Sequence, residues 1–149
     1  MELGTVGAVL AFAIKLEADS AQFYGEAASL AKASPAGEVF LSLAAAKRKR
    51  KERVERSRRE YMNEMLLEPI TGLEGSDYVV DTTLTPEMDA RAALRLAREL
   101  EESSHRLYLD AAEKISHLPQ MSRVFKKLAQ EIADHKLRLE SLHDEKGPD

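Results

Sequence analysis

Apolar residues recur along this chain at alternating steps of four and three, which is the spacing of one face of an α-helix. Four segments carry the pattern, at about residues 5–33, 36–65, 86–117 and 120–145. The links between the first and second segments, at Ser34-Pro35, and between the third and fourth, at Leu118-Pro119, are short. Short links predict antiparallel neighbours, so the four helices are expected to form two hairpins.

Residues 66–85 lose the periodicity and collect turn formers such as Pro69, Gly72 and Gly75. We predict a long crossover here that joins the two hairpins, and residues 78–80 leave open a short extended piece within it. Thr85-Pro86-Glu87 then predicts the start of the third helix, with a Thr cap, Pro at the first helical position and an acidic first turn.

The two predicted hairpins repeat one design. Leu16-Glu17-x-x-Ser20-x-x-x-Tyr24-x-x-Ala27-Ala28 recurs as Leu100-Glu101-x-x-Ser104-x-x-x-Tyr108-x-x-Ala111-Ala112, and Val39-Phe40-x-x-Leu43-Ala44 recurs as Val124-Phe125-x-x-Leu128-Ala129. The repeat favours one all-α domain, an antiparallel four-helix bundle over residues 1–149.

Composition narrows the class further. A chain of 149 residues is sized for a single domain, and the absence of Cys and Trp with only 5% aromatic residues favours helix over sheet. Without cysteine there are no disulfides or thiolate-bound metals, which fits a cytoplasmic location. The apolar N-terminal stretch is interpreted as the start of a mature helix, because Glu2 precedes it without Lys or Arg. No apolar run reaches the ~18 to 20 residues of a membrane span, so no membrane partner is expected.

Charged residues interrupt the apolar faces near the middle of the helices. Glu17 and Glu101 lie on the first and third helices, Lys47 and Arg50 on the second, and His135 on the fourth. Because an unpaired buried carboxylate is costly, the two acidic residues need partners, and the two cations balance their charge. The sequence predicts a core charge network of these five residues, with Tyr24 and Tyr108 tied to nearby carboxylates. Glu17→Ala is expected to destabilise more than Glu17→Ala combined with Lys47→Met.

The repeats and the charged positions resemble the rubrerythrin branch of the ferritin-like superfamily of di-iron carboxylate proteins, over nearly the whole chain apart from the crossover. In that pattern two helices each supply one Glu, and the other two each supply a Glu-x-x-His pair. Three of the six ligand positions match, at Glu17, Glu101 and His135. The other three hold Lys47, Arg50 and Ile132. The resemblance therefore implies a ferritin-like fold whose di-iron site is mostly lost and replaced by the charge network.

Relatives implied by this resemblance bind iron or manganese and react with oxygen or peroxide. For this chain we predict a structural or interaction module without catalysis or cofactor, assembled as a homodimer. The alternative is an oxidoreductase of the peroxidase or oxidase type that keeps one iron or manganese ion on Glu17, Glu101 and His135, with Glu131 as an added ligand.

The stretch from Lys47 to Arg59 is strongly basic. The chain has a formal net charge of −4 and the stretch has no interleaved aromatic residue, so it is interpreted as a solvated helical face with no nucleic-acid partner. Salt-sensitive retention on heparin would favour the nucleic-acid alternative. His105, His117 and His143 are interpreted as surface residues.

Overall fold

Four long helices form the protein in a computed structural model, which describes residues 1–60 and 63–146, and the side chains of residues 1–60 and 65–142. The long helices are α1 (Val6–Leu30), α2 (Pro35–Glu60), α4 (Ala90–Lys114) and α5 (Pro119–Lys146), and the short helix α3 (Asn63–Leu66) follows α2. Helix α1 packs on α2 and α4 packs on α5, and the described residues contain no β-strand. The predicted all-α bundle of two helical hairpins is confirmed.

The helices begin and end where local capping allows. Thr5 caps α1 by accepting a hydrogen bond from the Ala8 amide at 3.0 Å. Pro35 opens α2, one residue before the predicted segment 36–65. Both α1 and α4 end three residues before their predicted limits. Residues 61 and 62, inside the predicted second helix, lie outside the described residues.

The predicted start of the third helix at Thr85-Pro86 is wrong. The Thr85 carbonyl accepts from the Met88 amide and closes a turn, and α4 begins at Ala90. Asp89 is the cap, because its side chain accepts a hydrogen bond from the Ala92 amide at 2.9 Å. An aspartate is as good a cap as a threonine, so both positions offered a plausible start in the sequence.

The crossover is held by the N-terminal residues. The Leu3 amide donates to the Leu73 carbonyl and the Ile70 amide donates to the Gly4 carbonyl, both at 2.9 Å. Gly72 has a φ of 82°, a conformation that favours glycine. Of the extended piece left open at residues 78–80, Tyr78 belongs to the turn of 3₁₀ helix Gly75–Tyr78, whereas Val79 has an extended backbone (φ −89°, ψ 131°) without forming a strand. None of the described helices is long and apolar enough to cross a membrane.

The apolar core consists of two clusters separated along the bundle axis. One contains the start of α1 with the second half of α4 and the first half of α5. The other contains the second half of α1, the first halves of α2 and α4, and the end of α5. The charged positions of the four helices fall between the clusters in sequence, so the bundle has apolar ends and a charged middle layer.

Candidate functional site

The middle layer consists of buried polar side chains contributed by all four long helices. Their exposed fractions are 1% for Glu17, 0% for Lys47, 2% for Arg50, 0% for Glu101 and 7% for His135. The structure thus brings together in the core all five charged residues that the sequence singled out. Lys47 and Arg50 point inward although the two basic residues between them on α2, Arg48 and Lys49, are exposed.

Both carboxylate oxygens of Glu101 have hydrogen-bond partners within the layer. Its Oε1 lies 2.9 Å from the Lys47 ammonium and 3.2 Å from Nδ1 of His135. Its Oε2 accepts a hydrogen bond from the Tyr24 hydroxyl at 2.8 Å. Burial by itself would raise the pKa of Glu101, but the charge of Lys47 and the hydrogen bonds from His135 and Lys47 outweigh it and bring the pKa to about 2. The carboxylate is therefore ionised in the folded protein at neutral pH.

Glu17 occupies the equivalent position of the first hairpin and is less well satisfied. Its Oε1 accepts from the Tyr108 hydroxyl at 2.9 Å, and its Oε2 lies 3.5 Å from Nη1 of Arg50. Three buried side-chain polar atoms have no hydrogen-bond partner in the part of the chain that the structure describes. They are Oε2 of Glu17, Nη1 of Arg50 and the Ser20 hydroxyl. The Glu17–Arg50 contact is thus an ion pair without a hydrogen bond.

The two tyrosines reflect the internal repeat. Tyr24 of the first hairpin donates to Glu101 of the second, and Tyr108 of the second donates to Glu17 of the first. Burial, followed by the charge of the neighbouring glutamate, raises the pKa of both tyrosines well above the ordinary value. Both hydroxyls therefore stay protonated and act as donors across the hairpin interface.

The contacts of His135 define its protonation. Its Nε2 lies 3.4 Å from Nη2 of Arg50, and a guanidinium can only donate, so Nε2 must accept. Its Nδ1 then carries the proton and donates to Glu101. A neutral His135 leaves Glu17 and Glu101 balanced by Lys47 and Arg50, so the buried layer has no net charge.

Arg50 connects the buried layer to Glu131, which is partly exposed at the surface. Its Nη2 lies 3.3 Å from Oε1 of Glu131, whose side chain is 25% exposed. Arg53 binds the same carboxylate through two hydrogen bonds of 2.9 and 2.7 Å. Burial would raise the pKa of Glu131, but the hydrogen bond from Arg53 and the charges of both arginines lower it. Arg53 was not predicted as part of the network, although its place three residues after Arg50 puts it on the helix face towards α5.

His105 and His117 make no hydrogen bond or ion pair with the layer in the described structure. His117 is exposed, and its Nε2 lies 3.1 Å from a carboxylate oxygen of Glu68. His105, predicted as a surface residue, is half-buried. The side chain of His143 lies outside the described residues.

The donor set does not fit a pair of metal ions. Protein donors already engage both oxygens of Glu101, and arginines engage Glu131, the added ligand of the single-ion alternative. Ile132, at a ligand position of the resembled pattern, is fully buried in an apolar cluster. Among the described residues, no group of three or more His, Cys, Asp or Glu side chains is placed to hold a metal ion. Two adjacent metal ions need several carboxylates, whereas this layer contains an ammonium and a guanidinium.

Comparison with known proteins establishes the fold. No protein-family model matches the chain, and no curated protein matches it significantly. A solved structure from Thermotoga maritima, described as a ferritin-like diiron-carboxylate protein, is similar with a TM-score of 0.72. The match covers 93% of each chain at 20% sequence identity. The bundle is therefore ferritin-like in fold, as the sequence predicted, while the rubrerythrin branch stays a prediction.

Proposed function

We propose that this chain is a rubrerythrin-like ferritin-fold protein in which an ion-pair network occupies the volume of a di-metal centre, and that it acts as a structural or interaction module. The observation that carries the proposal is the contact of the fully buried Lys47 ammonium with Glu101 at 2.9 Å. A cation in that position supplies the positive charge that a metal would otherwise bring to the carboxylate.

The charge balance supports the same proposal. A di-metal centre brings about four positive charges, which a ferritin-like site meets with four glutamates and two histidines. Here the two buried glutamates face two buried cations and a neutral histidine. Adding metal ions to this layer would bring cations against Lys47 and Arg50, so metal binding and the present network compete for the same carboxylates.

A metal-binding oxidoreductase with a reduced iron or manganese site is the second candidate. The observation in its favour is Glu17 Oε2, a buried carboxylate oxygen without a hydrogen-bond partner among the described residues. It would share the ion with Glu101 and His135, and with Glu131 if that residue released its arginines. The neighbouring Arg50 at 3.5 Å weighs against it.

Metal content distinguishes the two candidates. Protein purified from cells supplemented with iron, manganese or zinc is expected to contain less than about a tenth of an equivalent of metal, and to consume no peroxide above the rate of a chelator-treated sample. Glu17→Gln is the control for adventitious metal. Near one equivalent of metal in the unmodified protein, lost in Glu17→Gln, would contradict the proposal and favour the oxidoreductase.

Assembly as a cytoplasmic homodimer belongs to the same proposal, since an interaction module needs a partner surface. Light scattering on the purified protein is expected to give twice the mass of 16.6 kDa. A monomer over the accessible concentration range would remove the homodimer from the proposal without affecting the buried layer.

A further inference from the structure

The second half of α2 and the first half of α5 lie side by side and concentrate positive charge. The Arg53–Glu131 contacts join the two helices at this level. Residues 48–60 of α2 contain eight basic and three acidic side chains. Residues 119–131 of α5 contain three basic side chains and one acidic side chain. This is a local excess of seven positive charges in a chain whose formal net charge is −4.

Most of these cations are free. Eight of them are exposed and form no ion pair or side-chain hydrogen bond within the described part of the chain. We call seven of these the basic face and leave out Arg58, which is two residues after Arg56 and so lies on the opposite side of α2. The basic face consists of Arg48, Lys49, Arg56, Arg59, Arg123, Lys126 and Lys127. The exposed acids Glu52 and Glu60 interrupt them, whereas Glu55 is paired with Lys51 and Glu131 with Arg53. Unpaired cations crowded on one surface repel each other and favour an anionic partner.

Helical spacing places these residues on one continuous surface. Arg56 and Lys127 line the same groove between α2 and α5, together with the Ser57 side chain, in a volume of about 300 Å³. Lys49 lies two turns before Arg56 on α2, and Arg123 lies one turn before Lys127 on α5. The groove is therefore flanked by cations from both helices.

We propose that the basic face binds the phosphate backbone of double-stranded nucleic acid without sequence specificity. Arg48 and Arg59 are separated by about 16 Å along the helix axis, so the seven cations have a linear density of about one per 2 Å. Double-stranded DNA carries one negative charge per about 1.7 Å of its axis, which is a close match. An acidic protein surface mixes positive and negative charges and therefore does not reach this linear density of negative charge. Neither segment exposes a large apolar side chain in its described part for insertion into a membrane.

This inference reverses the sequence-based expectation of a merely solvated helix. That expectation considered the basic stretch of α2 alone, whereas the fold places Arg123, Lys126 and Lys127 of α5 beside it. The inference is independent of the proposal for the buried layer, since no residue of the basic face contacts Glu17 or Glu101 in the described structure.

Fluorescence anisotropy with a labelled DNA duplex of random sequence tests the inference on the full chain. We expect a dissociation constant between about 1 and 100 µM, and a slope of log affinity against log salt of about −4 to −5. Arg56→Glu combined with Lys127→Glu is expected to weaken binding at least about tenfold and to make the slope shallower by about two.

The matched control is Lys32→Glu combined with Arg95→Glu, which changes the net charge equally at the other end of the bundle. It is expected to change the affinity less than about threefold. Equal losses in both variants would show a response to net charge alone and overturn the inference. No duplex binding by the unmodified protein at low salt would overturn it as well, as would binding to phosphatidylserine vesicles in its place.

Discussion

Replacing Glu101 with Gln is expected to lower the free energy of unfolding by about 3 to 5 kcal/mol, because the Lys47 ammonium would remain buried without its carboxylate. Lys47→Met is expected to cost a similar amount by leaving Glu101 without its cation. The double variant should lose less than either single variant, since an apolar side chain and an amide need no counter-charge. Denaturant unfolding at neutral pH measures all three.

A surface pair provides the control for this cycle. Lys51 and Glu55 form an ion pair of 3.4 Å one turn apart on α2, both about one-third exposed, and Lys51→Met is expected to change stability by less than about 0.5 kcal/mol. If the Lys47 and Glu101 variants proved additive, the two residues would not be coupled and the ion-pair account would fail. The cycle differs from the one suggested by the sequence, which combined Glu17 with Lys47, because the structure pairs Lys47 with Glu101 and Arg50 with Glu17.

The pH dependence of the same variants gives a second measurement. Glu101 has a folded-state pKa of about 2 against an ordinary value of 4.5, so its stabilisation is present above 4.5 and is lost as the pH falls towards 2. A depression of that size corresponds to about 3 kcal/mol. The double variant is expected to lack this component of acid destabilisation, so the stability difference between it and the unmodified protein should shrink from pH 5 to pH 2.

Restoring the ligand pattern is expected to restore metal binding. Lys47→Glu, Arg50→His and Ile132→Glu together would complete a Glu-x-x-His pair on α2 and another on α5, beside Glu17 and Glu101. We expect this triple variant to take up about two equivalents of iron or manganese, where the unmodified protein takes up almost none. Its metal-free form should be less stable than the unmodified protein, because four carboxylates would then share one core. Metal analysis and thermal unfolding with and without metal measure both effects.

A triple variant with Gln at the same three positions is the matched control, because it removes the cations and the apolar side chain without adding charged ligands. It is expected to bind no metal. If the ligand-restored variant folds but stays metal-free, then the assignment of these positions to a former metal site is wrong.

The periodicity predicted the fold because it reports which side of each helix is buried. The steps through Glu17, Lys47, Glu101 and His135 place these residues on inward faces, and the structure puts all four in the core. The alternating spacing does not define how far a long side chain reaches. For that reason the sequence paired Lys47 with Glu17, whereas the structure pairs it with Glu101, and it missed the Arg53 contact with Glu131.

The start of α4 was predicted wrongly because the sequence offers two candidate cap residues. Thr85 and Asp89 are both suitable caps, and in the structure Asp89 caps α4 while Thr85 closes a turn before it. The basic face could not be predicted from the sequence, because it combines residues of two helices that are far apart in the chain. Arg56 and Lys127 are 71 positions apart in the chain and meet only in the folded bundle.

Side-chain nitrogens of Lys47 and Arg50 fill the middle of the bundle beside the two glutamates. The most direct test of this arrangement is a crystal structure of protein from cells grown with iron and manganese, with diffraction data collected at the absorption edges of both metals. We expect the Lys47 nitrogen beside Glu101, Arg50 beside Glu17 and no anomalous peak between the two glutamates. Two neighbouring anomalous peaks bridged by Glu17 and Glu101, with Lys47 turned away, would contradict this arrangement.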